Sequence, residues 1–269
     1  MKSMRGVSTD NKGISRRDVL ATGVASVLSL MTGGLAQGGE IPTRSFNGER
    51  TTFSGSEGSP GAFVYTEVQN SVPFTNIPWE KRNPVIAAND GFISKTWLSG
   101  LGNDSVGGFY SFDSVENALK YATGFFPNAQ KRFGYAHASR VFDASVTKEA
   151  SIDMGSAHFG IKPRGAPGAF VYTEVQVSVP FSEFAWEARN RALKQTPGLL
   201  GKTWLSGLHT QTLGGFDVFD TAENARRFAI ETFPETAKKL NAAFMTRVFA
   251  AATTEAASRA MHSPFYSVG

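Results

Sequence analysis

Glu174 and Lys202 are the residues of this chain best suited to do chemistry. A carboxylate can take a proton, and a cation can hold the enolate or phenolate that remains. Both occur twice: Glu67 and Lys95 stand 107 positions earlier in the same local sequence. Tyr172, Gln176, Trp204 and Arg247 lie close to them in the pattern, as do Tyr65 and Trp97 in the earlier copy. Trp186 and Asn190 add an aromatic ring and an amide at i,i+4 spacing, matched by Trp79 and Asn83. Each group also has a plain structural reading. Glu174 and Lys202 would serve equally as an ion pair or polar network, Trp204 and Trp97 as core anchors, and Trp186 with Asn190 as helix-to-sheet packing.

The elements that must position these residues come as a tandem repeat. Pro60 to Gln69 returns as Pro167 to Gln176, Lys95 to Leu101 as Lys202 to Leu208, and Arg140-Val141-Phe142 as Arg247-Val248-Phe249, with one constant offset and no gap. A period of this length is that of a self-sufficient domain, too long for a solenoid repeat. The chain therefore divides into copy 1 over 60–151, a connector over 152–166, copy 2 over 167–258 and a tail over 259–269.

Within copy 2, Phe170 to Val179 alternates bulky and polar residues as a half-buried strand does. Pro180 ends it, and Ser182 is placed to cap a helix reaching about Gln195. Leu199 to Leu208 and Gly215 to Phe219 read as a hairpin. Asp220-Thr221-Ala222-Glu223 starts a second helix, with Ala222, Ala225, Ala229 and Phe233 as its buried stripe, and Pro234 ends or kinks it. Phe244 to Ala250 is the last strand. The order βαββαβ is an α+β, ferredoxin-like module whose antiparallel sheet carries helices on one face only. The bare face needs cover, and the second copy supplies it, so two sheets dock face to face as an intrachain barrel. On the first strand Val171, Thr173 and Val175 would pack under the helices. Tyr172, Glu174 and Gln176 would form the opposite row. With Lys202, Trp204 and Ser206 they could line a cavity between the sheets. Because the third strand separates the first from the second, Arg247 on the last strand is an alternative partner for Glu174. Pro84 falls inside the first helix of copy 1 where copy 2 has Arg191, so if one pocket has decayed, copy 1 is the one expected to have lost it.

Composition narrows the chemistry further. There is no cysteine, which excludes disulfides, thiol nucleophiles and Cys-ligated metals. The four histidines do not repeat and show no metal-ligand spacing. Gly107-Gly108 and Gly214-Gly215 enter strands rather than helices. They suit a tight hairpin or a close backbone approach, not a phosphate loop. The net charge is +4, but residues 1–36 hold five cations against two carboxylates and so supply +3 of it. No basic stripe for nucleic acid remains.

That N-terminal stretch reads as an address. Ser15-Arg16-Arg17-Asp18 precedes a mild apolar run that is too weak to span a membrane and ends at Gly34-Leu35-Ala36. It resembles a twin-arginine export signal, with 37–59 as a flexible linker. Such a signal implies a periplasmic or secreted protein, without a stable membrane anchor once the signal is cleaved.

Trp186-Glu187, Pro197 to Trp204, Gly214-Gly215-Phe216, Phe219 to Ala225 and Arg247-Val248-Phe249 together resemble the YdhR-type family of monooxygenase-like proteins. That family sits in the dimeric α/β-barrel superfamily, which also includes the antibiotic-biosynthesis monooxygenases. The resemblance runs nearly end to end through each copy. It implies cofactor-independent oxygenation of a small aromatic or enolisable compound, with no cofactor or metal, and it implies that Asn, Trp and Arg residues bind the substrate. The usual member is a homodimer of single modules, so here the pseudodimer would be internal. The superfamily also holds proteins that only bind. A non-catalytic ligand-binding or stress-protective module is therefore the alternative, and a haem or porphyrin site at His209 is the third reading.

Overall fold

β1 (Ala62–Gln69) alternates strictly: Ala62, Val64, Thr66 and Val68 turn to one face of its sheet, Phe63, Tyr65 and Glu67 to the other. A computed structural model describes residues 58–70, 72–177 and 179–266. The expected export signal and nearly all of the expected linker lie outside these residues. After β1 come α1 (Trp79–Ala87), β2 (Phe92–Ser99) and β3 (Ser105–Phe112). α2 follows over residues 115–131, then β4 (Ala136–Asp143) and α3 (Lys148–Asp153). Copy 2 repeats the order with β5 (Ala169–Gln176), α4 (Trp186–Leu193), β6 (Leu199–Ser206), β7 (Thr212–Phe219), α5 over residues 222–239, β8 (Phe244–Ala250) and α6 (Ala251–Arg259). Each copy forms an antiparallel sheet, in the orders β2-β3-β1-β4 and β6-β7-β5-β8. That is the strand order of the ferredoxin-like βαββαβ module.

Two local expectations change. Ser182 does not cap α4. Residues Phe181–Glu183 form a 3-10 turn, and α4 starts at Trp186 without a side-chain cap. Phe181 and Phe184 pack on Trp204, at 5.8 and 5.5 Å between ring centroids, and this fixes the chain ahead of the helix. Nor does Pro234 end its helix. A π turn over Phe228–Thr232 precedes Phe233–Lys239, which carries the proline in its first turn, where the missing N–H costs no bond. α5 starts within Asp220 to Glu223 as expected, and its cap is Thr221, whose hydroxyl accepts from the Asn224 N–H at 3.2 Å.

The two sheets pack face to face around one aromatic core. Phe63, Tyr65, Phe109 and Phe142 of copy 1 meet Phe170, Tyr172, Phe216 and Phe249 of copy 2. The Phe109 and Phe216 rings stack at 4.4 Å and the Tyr65 and Tyr172 rings at 3.9 Å, both pairs within a few degrees of parallel. The sheet edges also meet. Gly100 bridges to Phe249 and Gly207 to Phe142. The Leu101 N–H donates to the Val248 carbonyl and the Leu208 N–H to the Val141 carbonyl, both at 2.9 Å.

Each copy ends in a helix that runs on into the expected connector or tail, and the two helices are exchanged. α3 follows copy 1 but docks on β6 of copy 2, where the Ser151 hydroxyl accepts from the Trp204 N–H at 2.9 Å and the Met154 carbonyl from the Lys202 N–H at 3.2 Å. α6 follows copy 2 and docks on β2 of copy 1, where Ser258 and the Met261 carbonyl accept from the Trp97 and Lys95 N–H groups, each at 2.9 Å. Both open edges are thereby blunted.

Candidate functional site

Register decides which side chains can meet. Lys202 lies opposite Asp217, and Asp217 lies opposite Val171. Lys202 therefore shares the helix-side face with Val171, while Glu174 points between the sheets. The same pairing puts Lys95 on the helix side and Glu67 on the other. The expected Glu174–Lys202 constellation is thus not formed, in either copy, and the rows expected to line one cavity belong to two different faces.

Between the sheets, the space expected to be a cavity is filled by the aromatic core, rimmed by polar groups. The Tyr65 hydroxyl donates to Glu67 at 2.8 Å, and the Tyr172 hydroxyl donates to Glu174. Gln69 donates to Glu67 at 2.9 Å, whereas Gln176 turns to the Thr210 carbonyl at the exposed edge. Arg247 does not partner Glu174. It crosses the pseudo-twofold axis to Glu67 at 3.1 Å, and Arg140 makes the reciprocal contact with Glu174 at 3.4 Å. Burial, reinforced by the adjacent glutamates, pushes both tyrosine hydroxyls well above the ordinary phenol range, so neither supplies a phenolate. Glu67, Glu174, Tyr65, Tyr172, Arg140 and Arg247 together form a polar clasp around the stacked rings.

His158, which the sequence places in the connector, is buried at one end of this core. Its Nδ1 is 3.0 Å from the Ser111 hydroxyl, and Phe63, Phe109 and Phe265 surround the ring. Burial lowers its pKa to about 3, so the ring is neutral. His209 sits exposed in the β6–β7 turn with φ of 58° and lines neither helix-side cavity described below.

The helix-side faces hold the tryptophans and lysines. The Trp97 indole N–H donates to Asn83 and the Trp204 indole N–H to Asn190, each at 2.8 Å. The amide nitrogens reach the carbonyls of Ala257 and Ala150, on the exchanged helices α6 and α3. Asn190 is therefore a buried fastener between α4, β6 and α3, and Trp186 packs at the margin of the same core. Gly108 and Gly215 gain a reason the hairpin did not supply. A Cβ at either would run into the side chain of the neighbouring Lys95 or Lys202. At Gly107 and Gly214 it would strike the Thr66 and Thr173 carbonyls, the close backbone approach expected there.

The two lysines then differ. In copy 2, Lys202 pairs with Asp217 at 2.9 Å, both fully buried, and the adjoining space is about 40 Å³. Desolvation dominates on both sides, lowering the Lys202 pKa and raising that of Asp217. In copy 1 the position of Asp217 is taken by Tyr110. Lys95 is 1% exposed and has no carboxylate partner among the described residues. Its Nζ lies over the Trp97 ring at 2.8 Å and beside the Tyr110 ring at 4.8 Å. Two aromatic faces favour the charged form by about 2 kcal/mol each at best, less than the several kcal/mol that full desolvation costs an ion. Burial, with Arg82 adding repulsion, accordingly holds the Lys95 pKa well below the usual lysine range.

Lys95 faces a cavity of about 200 Å³ walled by Trp97, Tyr110, Tyr121, Phe126 and Phe133. Arg82, Lys81 and Gln130 also line it, and none of its lining residues is a carboxylate. The open pocket is therefore in copy 1, against the expectation drawn from Pro84. The helix carries that proline without breaking, and its residues Lys81, Arg82, Val85 and Ile86 line the cavity. A wider groove of about 330 Å³ lies between α1 and the C-terminal segment, but its titratable groups, Glu80 and His262, are exposed.

The sequence signal that could have singled out Lys95 is this one substitution within the repeat, Tyr110 for Asp217. No family model and no curated protein matches the sequence. Among solved structures, the chain is similar to an anthrone oxidase-like protein at 16% identity, over 72% of this chain and 92% of that one, with a TM-score of 0.48. It is also similar to an uncharacterized ferredoxin-fold protein from Listeria monocytogenes 4b F2365, related to antibiotic biosynthesis monooxygenases. That match has 8% identity over 71% of this chain and 95% of that one, with a TM-score of 0.35.

Proposed function

We propose that the protein is an exported, monooxygenase-like enzyme that oxygenates a small aromatic or enolisable compound in the helix-side cavity of copy 1. One observation carries the reading: Lys95, a buried amine without a carboxylate partner, faces an aromatic-walled cavity that also contains Arg82. An amine whose pKa is lowered by burial is better matched to act as a base near neutral pH than an ordinary lysine. Lys95 takes a proton from an activated CH₂ or phenolic position, and Arg82 holds the resulting anion. The carbanion passes an electron to O₂, the radical pair joins, and the peroxide loses water. R₂CH₂ and O₂ thus become R₂C=O and H₂O. Trp97 and Tyr110 provide the stacking walls. In this scheme Glu67, Glu174, Tyr65, Tyr172 and Arg247 hold the two copies together, Lys202 is tied to Asp217 within copy 2, and none takes part in the reaction.

Cavity size narrows the substrate. About 150 Å³ suffices for a benzene-sized guest, so a space near 200 Å³ takes a single substituted ring. The test is oxygen uptake by metal-free protein over single-ring phenols, enolisable aryl ketones and tricyclic anthrones. The expected result is turnover of a single-ring member that is lost in Lys95→Met and kept in Glu174→Gln. Ligand binding without oxygen uptake across the panel would favour a binding module instead. Export is tested by replacing Arg16 and Arg17 with lysine, which should leave the protein in the cytoplasm.

A further inference from the structure

We propose that Lys95 is also a carbonyl-capturing amine, forming a Schiff base with a small aromatic aldehyde or ketone seated in the cavity of copy 1. Three features of the geometry converge on this. The lysine is buried yet lines a cavity of about 200 Å³, its amine lying against the Trp97 and Tyr110 rings of the same wall. It lacks the carboxylate that holds its counterpart Lys202, because Tyr110 stands where copy 2 has Asp217. The cavity is reached past Val85 and Phe133, each 56% exposed, so a ligand has a way in. Nucleophilic lysines elsewhere are activated by this combination of apolar burial and a second cation, the part Arg82 plays here.

The step balances without any further reagent. The Nζ lone pair adds to the carbonyl carbon, giving a carbinolamine. The oxygen then departs as water with both hydrogens of the amine, leaving a C=N bond. Arg82 stabilises the alkoxide as it forms, and the aromatic walls hold the aryl ring. The Gln130 side-chain oxygen, buried in the same wall and without a hydrogen-bond partner among the described residues, is placed to accept from a ring hydroxyl. Lys202 cannot follow the same course, because its amine is tied to Asp217 and the space beside it holds about one water.

The experiment treats the folded full chain with benzaldehyde or 4-hydroxybenzaldehyde and cyanoborohydride at pH 7, and maps the trapped adduct by mass spectrometry. The expected result is one adduct at Lys95, formed at least about tenfold faster than at exposed lysines, since each unit of lowered pKa raises the neutral fraction about tenfold. Lys202 in the same molecule is the internal control and stays unmodified. Tyr110→Asp recreates the pairing that copy 2 already accommodates, and should abolish the adduct in a folded protein, as Lys95→Met does. Equal labelling of Lys95 and Lys202, labelling confined to surface lysines, or undiminished labelling in Tyr110→Asp overturns the inference. Trapping requires no oxygen, so its failure is distinct from failure of the oxygenase reading. A trapped Lys95 in a protein that consumes no O₂ supports this inference and removes the other.

Discussion

Tyr65 and Tyr172 lie face to face across the pseudo-twofold axis, 3.9 Å apart and 3° from parallel, each hydrogen-bonded to the glutamate two residues along its own strand. Glu67 then meets Arg247 and Glu174 meets Arg140, so each carboxylate is held by an arginine of the other copy. The arginines are more than a third exposed, and solvent screening leaves these ion pairs worth little on their own. The stabilisation lies in the rings beneath them.

That division predicts unequal effects at one site. Tyr172→Ala should cost about 3–5 kcal/mol, the range for a buried aromatic truncated to alanine. Arg140→Ala should cost under about 1 kcal/mol. Because the core is shared, both copies should unfold together, with urea transitions coinciding in two variants that keep only Trp97 or only Trp204 of the four tryptophans, the other three replaced by Phe. Two separate transitions would mean that the copies are independent.

The Lys202–Asp217 pair makes a second prediction. Removing one member of a buried pair strands the other charge, so Asp217→Asn should destabilise by about 3–5 kcal/mol. Lys202→Met with Asp217→Leu should recover most of the loss or exceed the parent. Chemical denaturation of the parent and these two variants measures this directly. A single mutant as stable as the parent would show that the pair is already neutral in the folded protein.

Much of the architecture was legible because it rests on periodicity and on a repeat. Ala62–Gln69 and Ala169–Gln176 alternate, α5 starts within Asp220 to Glu223, and the two apolar sheet faces need each other. Strand register was not legible, since a one-residue shift reverses every side chain. Lys202 and Glu174 were placed together for that reason, although Asp217 separates them onto opposite faces. Arg247 was sought on Glu174 because a local strand pairing is visible in one copy, while its actual partner, Glu67, lies 180 positions away in the other. The exchanged helices α3 and α6 were missed because Lys148–Asp153 is only six residues long and its packing partners lie in the other copy. Lys95 was named, but its distinction comes from the Tyr110 difference, which acquires meaning only when β2 and β3 are paired.

His158 should report on acid stability. Its folded pKa, near 3, is below the 6.5 of a free imidazole. Below pH 6.5 the unfolded chain gains a proton that the folded chain does not, so stability falls as pH drops from 6.5 toward 3 and this contribution levels off below that. The ceiling is on the order of 5 kcal/mol, at about 1.36 kcal/mol per unit. His158→Leu should remove this component from a plot of unfolding free energy against pH, at the expense of the hydrogen bond to Ser111. An unchanged slope in the variant would place the acid sensitivity elsewhere.

Lys95 should act in the same sense on the alkaline side. Its folded pKa is held well below that of an exposed lysine. Between the two values the unfolded chain binds a proton that the folded chain has released, so stability rises as pH increases through that interval toward about 10.4, the unperturbed lysine value. Lys95→Met fills the same space with no ionisable group. It should be neutral to stabilising at pH 7 and should flatten the rise measured by urea unfolding between pH 7 and 10. Tyr110→Asp should flatten it too, because a carboxylate beside Lys95 raises its folded pKa toward the unfolded one. A parent protein whose stability does not rise over this interval would mean that Lys95 is charged in its cavity. Both the base and the nucleophile assigned to it would then be lost.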